Sequence, residues 1–157
     1  MFAAVTWALA DGPRAALAFV LVAPAAFGVR RLPAGKHLDG MLCSVLLIAQ
    51  LGAAAGLTQS AGWWDAIAHA VTAALLTAVL VTLLPARSLA CGFLGVLLLS
   101  LAWEGAEWAS DTLFQTQFAP SLSDTRSDLA LDVMGAVAGA AIIATHANAR
   151  RRAHRTP

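Results

Sequence analysis

Residues 64–84 read WDAIAHAVTAALLTAVLVTLL, and beyond Asp65 and His69 the stretch reaches Leu84 without an ionisable side chain. A surface helix of a soluble protein keeps a polar face along its whole length. Here the ionisable groups are confined to one end, and the rest is apolar or carries only a threonine hydroxyl. About 20 apolar residues in a helix cover the ~30 Å of a bilayer's hydrocarbon core. The segment therefore reads as a transmembrane helix with a polar head. The whole chain agrees: of 157 residues, 59% are apolar and 12% charged, against about 45–50% and about 25% in a soluble domain. An ordinary soluble domain, a disordered chain and a disulfide scaffold are excluded.

Working outward, comparable apolar segments occupy residues 14–29, 41–57, 88–109 and 128–144. Breaker-rich stretches divide them, among them Arg30-Arg31-Leu32-Pro33-Ala34-Gly35, Ser60-Ala61-Gly62 and Pro85-Ala86-Arg87, with a longer polar link from Thr112 to Ser127. This pattern predicts an all-α polytopic transmembrane bundle of about five spans. One helical domain covers residues 1–147, followed by a basic tail at 148–157. The first segment is short and holds Pro24, and no signal peptide is read at the N-terminus, where Asp11-Gly12-Pro13 interrupts the apolar run.

Positive charge sets the expected orientation. Arg30, Arg31 and Lys36 follow the first segment, Arg87 follows the third, and Arg150, Arg151, Arg152 and Arg155 follow the fifth. The remaining links offer only Arg14 and Arg126. This asymmetry predicts an outside N-terminus and a cytoplasmic C-terminus, with the tail resting on anionic lipid rather than on nucleic acid. Cys43 and Cys91 then lie toward the reducing side, where a disulfide is not expected.

The acidic residues are distributed less evenly than the basic ones. Of nine, seven fall in or beside the last three segments: Asp65, Glu104, Glu107, Asp111, Asp124, Asp128 and Asp132. With alternating helix directions, Asp65 and His69 begin the third span, Glu104, Glu107 and Asp111 end the fourth, and Asp124, Asp128 and Asp132 begin the fifth. All reach the same outer third of the membrane. The spacings i,i+4, then i,i+3,i+7, then steps of four each put a set on one helix face. Carboxylates crowded into a poorly hydrated place cannot all ionise without compensation, so they share protons or bind a cation.

Helix capping is the plain alternative for some of these residues. Asp65 and Asp124 suit N-caps, and Thr125-x-x-Asp128 matches a capping box. Glu107 and Asp111 do not fit it, because acids in the last turns oppose the helix dipole. Oxygen ligands with one imidazole suit Mg²⁺, Mn²⁺, Fe²⁺, Zn²⁺ or Ca²⁺ alike. The expected metal-ligand set is Asp65, His69, Glu104, Glu107, Asp111, Asp124, Asp128 and Asp132, with His69 and Glu107 also as proton carriers. The ligand count is enough for two ions sharing bridging carboxylates. A ferritin-like centre would require Glu-x-x-His pairs, whereas this chain has Glu104-x-x-Glu107.

Trp7, Trp63, Trp64, Trp103 and Trp108 all map to the outer side, as an interfacial aromatic belt or as a platform for an amphiphile. Gly52-x-x-x-Gly56 and Gly135-x-x-x-Gly139 allow close helix approach, within the bundle or across a homodimer.

Asp65-x-x-x-His69, Trp103-Glu104-x-x-Glu107-Trp108 and Asp124-Thr125-x-x-Asp128-Leu129 followed by Gly135-Ala136 resemble, over roughly residues 63 to 140, the YjdF-like family of bacterial inner-membrane proteins, within the wider VanZ-like group. The resemblance implies a multi-pass inner-membrane protein and singles out Asp65, His69, Glu104, Glu107, Asp124 and Asp128 without giving them an activity. The chain departs from that pattern before the last helix, where Thr116-Gln117 is followed by unrelated residues.

Three functions remain open on the sequence. The first is a metal-dependent hydrolase or transferase acting on a lipid or cell-envelope substrate. The second is a proton or cation transporter, which the scarcity of ionisable groups in the opposite helix halves disfavours. The third is a scaffold whose acids form a structural network. No nucleophile-elbow serine, phosphate-cradling loop, dinucleotide fingerprint or Cys/His zinc pattern is present.

Overall fold

The computed structural model describes residues 36–55, 57–84, 88–115, 117–119 and 121–153, and among them all regular structure is helical. The helices are α1 (Lys36–Ala54), the single turn α2 (Leu57–Ser60), α3 (Gly62–Leu83), α4 (Leu89–Phe114) and α5 (Leu122–Ala153). The apolar segment expected at 14–29 lies outside the described residues.

Three helices are long and apolar enough to cross a membrane: Gly62–Leu83, Leu89–Phe114, and the Leu122–Thr145 part of α5. They correspond to the last three expected spans. The apolar stretch in α1, Asp39–Ile48, is shorter. α1 begins at Lys36, inside the link expected before residue 41, and α5 runs through the tail boundary expected at 148 as far as Ala153.

The helix ends differ from the expected ones, and the differences bear on the site. α3 starts after Ala61, which makes no side-chain cap, so Asp65 lies inside the first turns rather than at the N-cap. The start of α5 falls six residues before the expected 128. Ser121 supplies the cap, its Oγ accepting the Asp124 backbone N–H at 3.2 Å. Thr125 and Asp128 are therefore buried residues within α5, while Asp124 lies half-buried in its first turn. Neither Asp65 nor Asp124 is itself the N-cap, but both stay in the first turn of their helices, where the helix dipole favours an acid. At its other end α4 continues to Phe114 and stops at Gln115, a left-handed residue with φ 53°.

Small residues set the packing. A Cβ on Gly135 would run into the Ala70 carbonyl oxygen, and one on Gly139 into the Ala74 carbonyl oxygen. Residues 70 and 74 thus pair in the same order with 135 and 139, so α3 and α5 run parallel with their backbones in contact. This is the close approach that a small-x-x-x-small stripe allows. It occurs within the chain, which occupies the Gly135–Gly139 face. α4 runs the other way: Gly92, near its start, sits against Val81 and the Thr77 carbonyl near the end of α3. Ala73, Val96 and Ala136 form the shared core, with Leu76, Leu80 and Phe93 around it.

Polarity is distributed opposite to a soluble protein. Leu98, Leu101, Met134, Val137 and Ile142 lie more than half exposed, while Glu104, Asp128, Asp132, Ser110 and Thr77 are buried. Lipid tails are as apolar as leucine, so a membrane bundle turns its large apolar side chains outward and its polar ones toward neighbouring helices. The fold therefore brings the starts of α3 and α5 and the end of α4 to one end of the bundle.

Candidate metal centre

Because α3 and α5 are parallel and in contact, their i,i+4 pairs face each other. Asp65 and His69 on α3 oppose Asp128 and Asp132 on α5. His69 Nδ1 and Asp132 Oδ1 are 3.2 Å apart, with the two side chains 11% and 7% exposed. One donor atom each from Asp65, His69 and Asp128 lies within 4.8 Å of the other two. Ligand distances of ~2.0–2.6 Å around one ion produce such separations. With Nδ1 engaged by Asp132, Nε2 is the ring nitrogen left to bind. A carboxylate behind a ligating histidine fixes its tautomer and orientation.

The third wall comes from α4. Glu104 is 3% exposed, and neither of its carboxylate oxygens has a protein hydrogen-bond partner. Its charged neighbours include His69, Asp124 and Asp132, and the Thr125 side chain lies beside it. Glu107, one turn on, lies within electrostatic reach of Glu104, His69 and Asp65. Glu107 is held in place by the Trp103 indole, whose Nε1–H donates to Oε1 at 2.8 Å. Trp108 Nε1–H donates to Thr125 Oγ1 at 2.8 Å, tying α4 to α5 just above the acids. Accepting that bond leaves the Thr125 hydroxyl proton free to turn toward Glu104.

The structure thus brings together Asp65, His69 and Asp128, backs His69 with Asp132, and places Glu104 and Glu107 alongside. Asp124 is half-buried within electrostatic reach of His69 and Asp111. Asp111 stands apart from the three-residue group. Its Oδ1 accepts the Phe118 N–H at 2.8 Å and its Oδ2 the Ala119 N–H at 2.9 Å. It anchors the link between α4 and α5, which accounts for an acid in a helix's last turn by bonds the helix dipole does not enter.

Sequence reasoning placed Trp103 and Trp108 in an aromatic belt and Thr125 in a capping box. Trp63, 64% exposed, suits a belt, but Trp103 and Trp108 use their indole N–H groups within the bundle. The i,i+4 spacing of Trp103 and Glu107 was a readable signal for their bond. Nothing in the sequence signals the pairing of Trp108 with Thr125 across two helices.

A parallel-antiparallel helix trio, each helix long and apolar enough to cross a membrane, with buried acids at one end is the build of a membrane protein carrying an internal acid/histidine cluster. The chain belongs to the family of predicted membrane proteins designated DUF2238, which it matches over residues 2–149. The YjdF-like resemblance of its motifs is consistent with that membership, whereas the wider VanZ-like grouping rests on the motifs alone. Neither the curated proteins nor the solved structures contain a match.

Proposed function

We propose that this membrane protein binds a divalent cation through Asp65, His69 and Asp128 and uses it for metal-assisted hydrolysis or group transfer on a lipid or cell-envelope substrate. The observation that carries the reading is the meeting of these three donors, drawn from two helices, within one ion's coordination distance. Each lies near a membrane interface by helix position, where a lipid headgroup is within reach. A bound ion would polarise a phosphoryl or carbonyl oxygen and lower the pKa of its water ligand toward neutrality. His69 serves as a ligand in this reading, and neighbouring carboxylates take up the proton of that water.

In this reading the centre lies on the outer side of a bacterial inner membrane, which the positive-inside pattern of the sequence supports. A purely structural network is the competing use of these acids, and it suits Asp111, Asp132 and Glu107, which have hydrogen-bond partners. It suits Glu104 least, because a buried carboxylate with no well-formed hydrogen bond to either oxygen costs stability.

Elemental analysis and isothermal titration of the purified chain in nanodiscs test the reading. The expected result is stoichiometric Mn²⁺ or Zn²⁺ that is lost in both Asp65→Asn and Asp128→Asn, with the helical circular dichroism unchanged. A wild-type chain that takes up neither ion overturns it.

A further inference from the structure

Glu104 is the buried group that a single ion leaves unexplained. Neither of its oxygens has a hydrogen bond of good geometry, although the Thr125 hydroxyl lies beside it, and it is not a member of the group formed by Asp65, His69 and Asp128. Donors sharing one ion lie no more than about 5 Å apart, twice a metal–oxygen distance of ~2.0–2.6 Å.

Charge points the same way. One divalent ion offsets Asp65 and Asp128; His69, neutral as a ligand, orients against Asp132 without cancelling its charge. Glu104 and Glu107 remain, three residues apart on one face of α4 and in mutual electrostatic contact. His69 lies within electrostatic reach of both, but as a neutral ligand of the first ion it supplies them no positive charge. Arg126 is exposed on the outside of α5. The Trp103 N–H occupies Glu107 Oε1 and so fixes the carboxylate, while Thr125, itself held by Trp108, stands beside Glu104. These contacts orient the two carboxylates and leave Glu104 with both oxygens to give.

We propose that the cluster is a two-ion centre, in which a second divalent cation sits against Glu104 and Glu107 beside the ion held by Asp65, His69 and Asp128. The proposal rests on the single-ion reading above and deepens it. Two ions roughly 3.5–4 Å apart clamp the attacking and leaving oxygens of a phosphoester, so the substrate class it selects is a phosphate-bearing headgroup.

The test uses the full chain in nanodiscs loaded with Mn²⁺, washed free of excess metal, and read by elemental analysis and electron paramagnetic resonance. Wild type should hold two Mn²⁺ per chain with an exchange-coupled spectrum. Glu104→Gln combined with Glu107→Gln should hold one, with the six-line spectrum of an isolated ion. One uncoupled Mn²⁺ in wild type overturns the two-ion centre and leaves the single-ion reading standing. So does a double variant that still binds two. A wild type that binds none overturns both. Because the wild-type stoichiometry decides by itself, a variant that fails to fold does not remove the test.

Discussion

Gly135→Ala should dismantle the centre without touching any of its ligands. A Cβ at this position would meet the Ala70 carbonyl oxygen far inside contact, and would lie 2.9 Å from the Ala70 carbonyl carbon and 3.0 Å from its Cα. Ordinary contact begins near 3.4 Å, so α3 and α5 must separate by a little over ~1 Å to clear the carbonyl oxygen, the strain of overpacking a close interface. The neighbouring His69–Asp132 contact is 3.2 Å long and would pass out of hydrogen-bonding range. Metal sites hold their ligand distances to within about 0.2 Å, and loss of a carboxylate behind a histidine ligand costs about 10–100-fold in affinity. The expected outcome is a Mn²⁺ affinity at least tenfold weaker by titration, with a stability loss of about 1–3 kcal/mol. Gly105→Ala is the control, since nothing lies within 4 Å of a Cβ there. A Gly135→Ala chain that binds Mn²⁺ as tightly as wild type would refute the argument that this helix contact builds the site.

Other perturbations separate the roles of individual residues. Asp132→Asn keeps the shape but weakens the orientation of His69, and Mn²⁺ affinity by titration should drop by about 10–100-fold. Asp111→Ala removes the acceptor for the Phe118 and Ala119 N–H groups. It should lower thermal stability by about 2–3 kcal/mol, measured by scanning fluorimetry, while Mn²⁺ stoichiometry stays unchanged. Lowering the pH should release the metal, because protons compete for carboxylate and imidazole ligands. Each proton displaced on binding weakens affinity about tenfold per pH unit on the acid side, so titrations at pH 7.5 and 5.5 should differ in that direction. Thiol labelling of a cysteine placed at Pro157 should occur only from the cytoplasmic face if the basic tail lies inside.

Several of these expectations follow from patterns visible along the chain. The apolar lengths of α3, α4 and α5 were legible because a bilayer demands long runs without charge, a demand that acts locally on each segment. The common level of Asp65, Glu104 and Asp128 was legible because successive spans alternate direction. What each acid does was not. Asp111 and Glu107 have the same character in sequence, yet one binds loop N–H groups and the other an indole. Thr125 shows only a capping pattern, because its partner Trp108 lies on another helix.

The order of residues alone thus determined a helical membrane protein with acids gathered at one end, since solvation energy along each segment depends only on its own residues and successive spans alternate direction. Tertiary structure decided which acids meet. The Gly135 and Gly139 contacts with Ala70 and Ala74 fix the distance and register of two parallel helices, and only that register places Asp65, His69 and Asp128 around one point. The same packing leaves Glu104 buried with no well-formed hydrogen bond to either oxygen. Side-chain partnership across helices is set by shape complementarity between surfaces, which no single segment encodes.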